Sequence, residues 1–238
     1  MDCPSHLRFA PTRPPTHWSG VFSATSYGSV CPQKFPEISN TTEALASMSR
    51  RRLDYLRSIR VRLNKQSEDC LNLNIYVPHN TAKGDEKGTL FLNIFLLNKI
   101  IFTERTKLPV MLFVHGESYS WGAGNLYDGR VLASYGEVVV VTVNYRLGVL
   151  GFLNTNTAPH QHPQMANYGL MDQIAALKWV QQNIGHFGGD PESVTLFGFR
   201  TGASCVHFLM QSPAAVAGES LSWMPYIGAI WQILKPKV

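Results

Sequence analysis

At 238 residues, with 45% hydrophobic and 11% aromatic side chains, the chain has the material for a folded core, which excludes a disordered polymer. Its charge is modestly positive, 21 basic residues against 16 acidic, and seven of the basic ones fall between Arg50 and Lys65. No recognition module or interleaved aromatic platform accompanies them, so they read as a solvated helix face and nucleic acid is not expected as a partner.

Taken in order, Met1 to Pro15 is polar and proline-rich and lacks the charged start, apolar middle and small-residue cleavage site of a secretory signal. His6 to Cys31, rich in Pro, Thr, Ser and Gly with aromatics between, reads as an irregular or hairpin-forming lead-in laid over a larger body. Asn40-Thr41-Thr42-Glu43 carries two competing signals for one side chain, a helix start and an N-glycosylation acceptor at Asn40. Beyond it, Leu45, Met48, Leu53, Leu56, Ile59 and Leu63 fall near helical spacing with the arginines mostly opposite, as in a surface helix. Leu71 to Val77 alternates apolar and polar, which predicts a half-buried strand ended by Pro78.

From His79 to Lys107 no catalytic signature is found. The apolar run from Leu90 to Phe102 is interrupted by Asn93, Asn98 and Lys99 and is too short for a membrane span of about 20 residues. An extra hairpin, a surface insertion and a mis-translated segment stay open for it. Val110 to Val114 and Val138 to Val143 do not alternate; they are continuous runs rich in β-branched residues, of the kind buried on both faces in a parallel sheet. Met171 to Ile184, with Ile174, Leu177, Val180 and Ile184 on one face and Trp179 beside them, reads as a covering helix. A further strand, Val194 to Phe197, runs into Gly198-Phe199-Arg200-Thr201-Gly202 and then a helix-compatible segment. This order of strands and helices argues for an α/β fold. The tail from Ala214 is apolar over Trp223 to Leu234, broken by Pro225 and Gly228, and also falls short of a span.

Strand, Gly-x-x-x-Gly and helix make the pattern of a hydrolase nucleophile elbow, whose central residue is ordinarily Ser; here it is Arg200. Upstream, Val114-His115-Gly116-Glu117-Ser118-Tyr119 follows a buried strand where an esterase carries His-Gly-Gly-Gly to supply N–H donors to an oxyanion. With Ser67-Glu68-Asp69-Cys70-Leu71-Asn72-Leu73-Asn74, Asn144-Tyr145-Arg146-Leu147-Gly148, Asn167-Tyr168-Gly169-Leu170-Met171-Asp172-Gln173 and Phe187-Gly188-Gly189-Asp190-Pro191, these form an ordered series. The series closely resembles the cholinesterase-like carboxylesterase (type B) family, from about Leu7 to about Ala215. Within that family, His115-Gly116-x-Ser118-Tyr119 with Gly122-x-Gly124-Asn125, Asp128-Gly129 before Leu132 to Gly136, and Gly202-Ala203-Ser204-Cys205-Val206 point to the neuroligins, adhesion proteins built on an esterase-like domain.

The resemblance implies a truncated α/β-hydrolase fold, mixed but mostly parallel, with one esterase-like portion over 1–215, an atypical insertion at about 79–107 and a divergent tail over 216–238. It implies a cell-surface parent whose extracellular domain binds a partner such as neurexin, dimerises through helices outside this chain and uses no cofactor. The departures, Glu117 for a glycine and Arg200-Thr201 for a small pair, leave no catalytic residue expected and a degenerate oxyanion loop at Gly116 and Glu117. The alternative is a serine carboxylesterase with an unusual elbow; a third reading is a mis-spliced product without a folded state.

Cys3, Cys31, Cys70 and Cys205 form no CxxC pair and no zinc-type spacing, so no metal is expected and one disulfide is the more useful hypothesis. The resemblance assigns that bridge to Cys31 and Cys70. The loop it closes contains no Trp to stack on a choline cation, so no choline site is expected. The resemblance also implies structural ion pairs Arg8–Glu68 and Arg146–Asp172. Only His207 among the histidines follows the elbow, and it falls on the elbow helix itself, where a packed or surface role is expected.

Overall fold

The computed structural model describes residues 7–15, 19–20, 23–80, 87–94, 107–153, 167–216 and 230–233. The basic segment expected as one helix is two, α1 (Thr41–Ser47) and α2 (Arg50–Arg60). Asn40 caps the first through Oδ1, which accepts the N–H groups of Thr42 and Glu43; Ser49 caps the second through Oγ, which accepts that of Arg52. Met48, extended at φ −145° and ψ 160°, separates them. A serine hydroxyl that competes for backbone donors starts a new helix here in spite of the apolar spacing. Leu53, Leu56, Ile59 and Leu63 still face inward, forming with Val30, Ile38, Ala44, Trp121 and Ala123 a cluster separate from the sheet core.

β1 (Leu73–Asn80) runs past Pro78 instead of ending there. It pairs antiparallel with β2 (Lys87–Ile94), Pro78 standing opposite Thr89. On its other side the ladder stops at Tyr76, so the missing N–H of Pro78 breaks no bond there. Of the readings left open for 79–107, the structure shows a hairpin; residues 81–86 and 95–106 lie outside the described ones. β3 (Leu108–Val114), α3 (Arg130–Gly136), β4 (Val139–Val143), α4 (Gly148–Phe152), α5 (Tyr168–Asn183), β5 (Gly189–Gly198), α6 (Thr201–Gln211), α7 (Pro213–Val216) and β6 (Ile230–Ile233) complete the order.

The six strands form one sheet in the order β2-β1-β4-β3-β5-β6. β3 is parallel to both β4 and β5; the other pairings are antiparallel. β4 is buried at every residue because both faces are covered. Val139, Val141 and Val143 enter the main core with Leu177, Val180, Ile184, Cys205, Val206 and Leu209 from the α5 and α6 region, while Val140 meets Tyr76 and Ala133 near α3. The apolar tail supplies β5 with an outer neighbour, β6, which pairs with it from Val194↔Ile233 to Phe197↔Ile230. A disulfide joins Cys31 to Cys70 across 39 positions, tying the lead-in to the approach of β1.

Candidate functional site at the elbow

The site is built where β3 and β5, parallel neighbours, end side by side. β5 turns into α6 through Arg200, whose φ of 53° and ψ of −120° lie outside the regions ordinary side chains prefer. This is the sharp strand-to-helix turn expected of a nucleophile elbow. β3 continues into His115-Gly116-Glu117-Ser118-Tyr119, where Ser118 and Tyr119 also have positive φ, 56° and 55°.

The two turns interlock through glycine. A Cβ at Gly116 would stand 2.0 Å from Gly202 N and 2.3 Å from Phe199 O; one at Gly202 would stand 2.1 Å from Val114 O. Neither position has room for any side chain, since the atoms met are backbone.

Over this contact, Glu117 Oε2 accepts one N–H from Arg200 Nη1 and one from Arg52 Nη2, each at 2.9 Å. Arg52 comes from α2, 65 residues upstream of Glu117. Its guanidinium lies 5.3 Å over the Tyr55 ring and 5.7 Å over Trp121, while that of Arg200 lies 5.0 Å over Phe199. Tyr127 is close enough to feel Glu117 and both arginines, although burial is the main reason its hydroxyl is pushed up to about 12. The arrangement offers no nucleophile at the turn: a guanidinium stays protonated and attacks no carbonyl.

Beneath the loop, His115 is fully buried, stacked on Tyr145 at 4.5 Å, and its ring nitrogens have no hydrogen-bond partner among the described residues. Burial drives its pKa down to about 3, so the ring is neutral. Tyr145 donates its hydroxyl to the His115 carbonyl at 2.6 Å. The Cys205 thiol, on α6, is pushed up by burial and stays protonated.

The remaining residues singled out in the sequence stand away from the elbow contact. Arg146 grips Asp172 through two bonds, Nε to Oδ2 at 2.8 Å and Nη2 to Oδ1 at 2.7 Å, with 11% and 1% of the side chains exposed. Arg146 also donates to the Ala10 carbonyl at 2.7 Å and Thr12 donates to Asp172, so this pair holds the lead-in to α5. Arg8 meets Glu68 through Nε and Nη2 on the surface, each partner favouring the other's charged form. Asn40 is exposed at its cap. His207 is exposed on α6, its ring 3.0 Å from the Gln211 amide. Cys3 lies outside the described residues. Among the described residues, no group of three or more His, Cys, Asp or Glu is placed to hold a metal ion.

The elbow turn with its interlocked glycine loop coincides with a family match: the model of the carboxylesterase family covers residues 4–219. The chain belongs to the carboxylesterase family. It is 46% identical to neuroligin-2 of Mus musculus over 92% of its own length and 27% of that protein's. To neuroligin-3 of Mus musculus it is 43% identical over 86% of the chain and 24% of the relative, and to the pyrethroid hydrolase Ces2e of Rattus norvegicus 40% identical over 87% and 30%. Among solved structures, a PNB esterase superposes with a TM-score of 0.61 at 38% identity, covering 88% of this chain and 35% of that one. The chain thus spans about a quarter to a third of the carboxylesterase relatives it matches, and its fold is the esterase α/β-hydrolase fold over that portion.

Arg52 is the site residue that sequence reasoning missed. Glu117 and Arg200 were both visible as departures, and their opposite charges were the signal for a pairing across 83 positions.

Proposed function

We propose that this chain is the N-terminal portion of an esterase-like domain that hydrolyses no ester, and that its parent is a cell-surface adhesion protein binding a partner of the neurexin kind. One observation carries the inactivity: the side chain at the elbow is a guanidinium paired with Glu117 on the neighbouring loop. Losing the nucleophile of a serine hydrolase costs on the order of a millionfold in turnover. Glu117 adds a carboxylate where a developing oxyanion needs donors, which opposes the charge an esterase stabilises. The adhesion role rests on the similarity to neuroligin-2 and neuroligin-3. Asn40 suits an extracellular setting without losing its cap, because Oδ1 makes the capping bonds whereas a glycan would attach to Nδ2.

The second reading, a serine carboxylesterase fragment, is favoured by the preserved elbow backbone and the similarity to a pyrethroid hydrolase. Nitrophenol release from short-chain nitrophenyl esters separates the two. Wild type and Arg200→Ser are both expected to match a heat-denatured control, since serine alone leaves the Glu117 carboxylate where a developing oxyanion needs donors. Saturable turnover by either, blocked by an organophosphate, would put the hydrolase reading first.

A further inference from the structure

Among the described residues, the Arg52–Glu117–Arg200 trio leaves most of its guanidinium donors unused. Each guanidinium gives a single N–H to the same oxygen, Glu117 Oε2. Neither presents to Glu117 the parallel pair of N–H groups with which arginine grips a carboxylate or phosphate. Two positive charges against one negative leave a surplus of one. The exposure is graded: 7% of the Glu117 side chain is accessible, 29% of Arg52 and 50% of Arg200. The carboxylate is the floor and the guanidinium groups are the rim.

Two further features favour negative charge at that rim. Arg200 is the N-cap of α6 and caps it with no side-chain bond, so the positive end of an eleven-residue helix lies at the same place. The rings of Tyr55, Trp121 and Phe199 support the two guanidinium planes, which lessens the freedom lost when a ligand is gripped.

We infer that Arg52 and Arg200 form a receptor for an oxyanion, the carboxylate or phosphate group of a small ligand, at the place where an esterase holds its nucleophile. Glu117 competes for the inner donors and keeps the affinity low. The inference is independent of the adhesion role of the parent protein.

The test titrates the full chain with inorganic phosphate and, separately, with succinate, at ionic strength held constant with sodium chloride, reading heat of binding and arginine side-chain NMR shifts. Saturation by one and not the other identifies the oxyanion class. Arg200→Gln and Arg52→Gln are each expected to weaken binding by about tenfold or more, and the lysine replacements, which keep charge but lose the fork, by less. Arg51→Gln, one residue from Arg52 and outside the trio, leaves it unchanged. Glu117→Gln tightens it, an outcome that a purely structural trio would not give. Where a glutamine variant does not fold, the lysine variant at that position decides. Titrations that do not saturate with either anion in wild type, or a loss in Arg51→Gln as large as in Arg200→Gln, would overturn the inference.

Discussion

His115 is neutral in the fold because burial raises the cost of charging its ring, and this makes it a source of acid sensitivity. In the unfolded chain its pKa returns to about 6.5, so between that value and about 3 the unfolded state binds a proton that the folded state refuses. Stability contributed by the neutral ring is therefore complete above about pH 6.5 and is lost as pH falls, by roughly 1.4 kcal/mol per pH unit, until the folded pKa is reached. Urea unfolding at stepped pH should show this slope in wild type and a flatter one in His115→Gln. Equal slopes would mean that the ring is not sealed from solvent. Sequence placed His115 next to the oxyanion loop, but its burial came from Tyr145 and from Gly122, whose missing Cβ would lie 2.7 Å from Nδ1.

At the scale of elements, the contact between the β3 loop and the elbow is fixed by backbone and not by charge. Gly202→Ala places a carbon about 2 Å from the Val114 carbonyl and should lower stability by about 3 kcal/mol or more, whereas Gly185→Ala, with nothing within 4 Å, should change it little. Thermal unfolding of the two variants checks this, and a mild effect at Gly202 would mean that the loops separate readily. Such glycines are why this part of the fold was legible: Gly198 and Gly202 bound the turn within one five-residue motif, and Gly116 stands two residues beyond β3. The strands β3 and β4 were legible for a similar reason, since unbroken valine-rich runs are wanted wherever both faces are covered. What was not legible depends on distant partners. The break at Met48 and Ser49 is set by a cap that outweighs apolar spacing, β5 begins at Gly189 instead of Val194 because Leu108 pairs there, and Arg52 joins the elbow only through tertiary folding.

For the whole molecule, the Cys31–Cys70 bridge closes a loop of 39 positions and should contribute about 4 kcal/mol by restricting the unfolded chain. Protein recovered from an oxidising secretory route and mapped without reduction should yield the two cysteines in one linked peptide and Asn40 with a glycan. Reduction should then lower the unfolding midpoint, and free thiols at both positions in folded protein would remove the bridge. The other long-range closure is at the far edge of the sheet, where β6 runs antiparallel to β5 from Ile230 to Ile233. A sheet edge is a single row of backbone donors and acceptors, and one strand consumes it. Any other strand laid against β5 on that side would have to displace the β6 segment from Ile230 to Ile233 first, residue for residue.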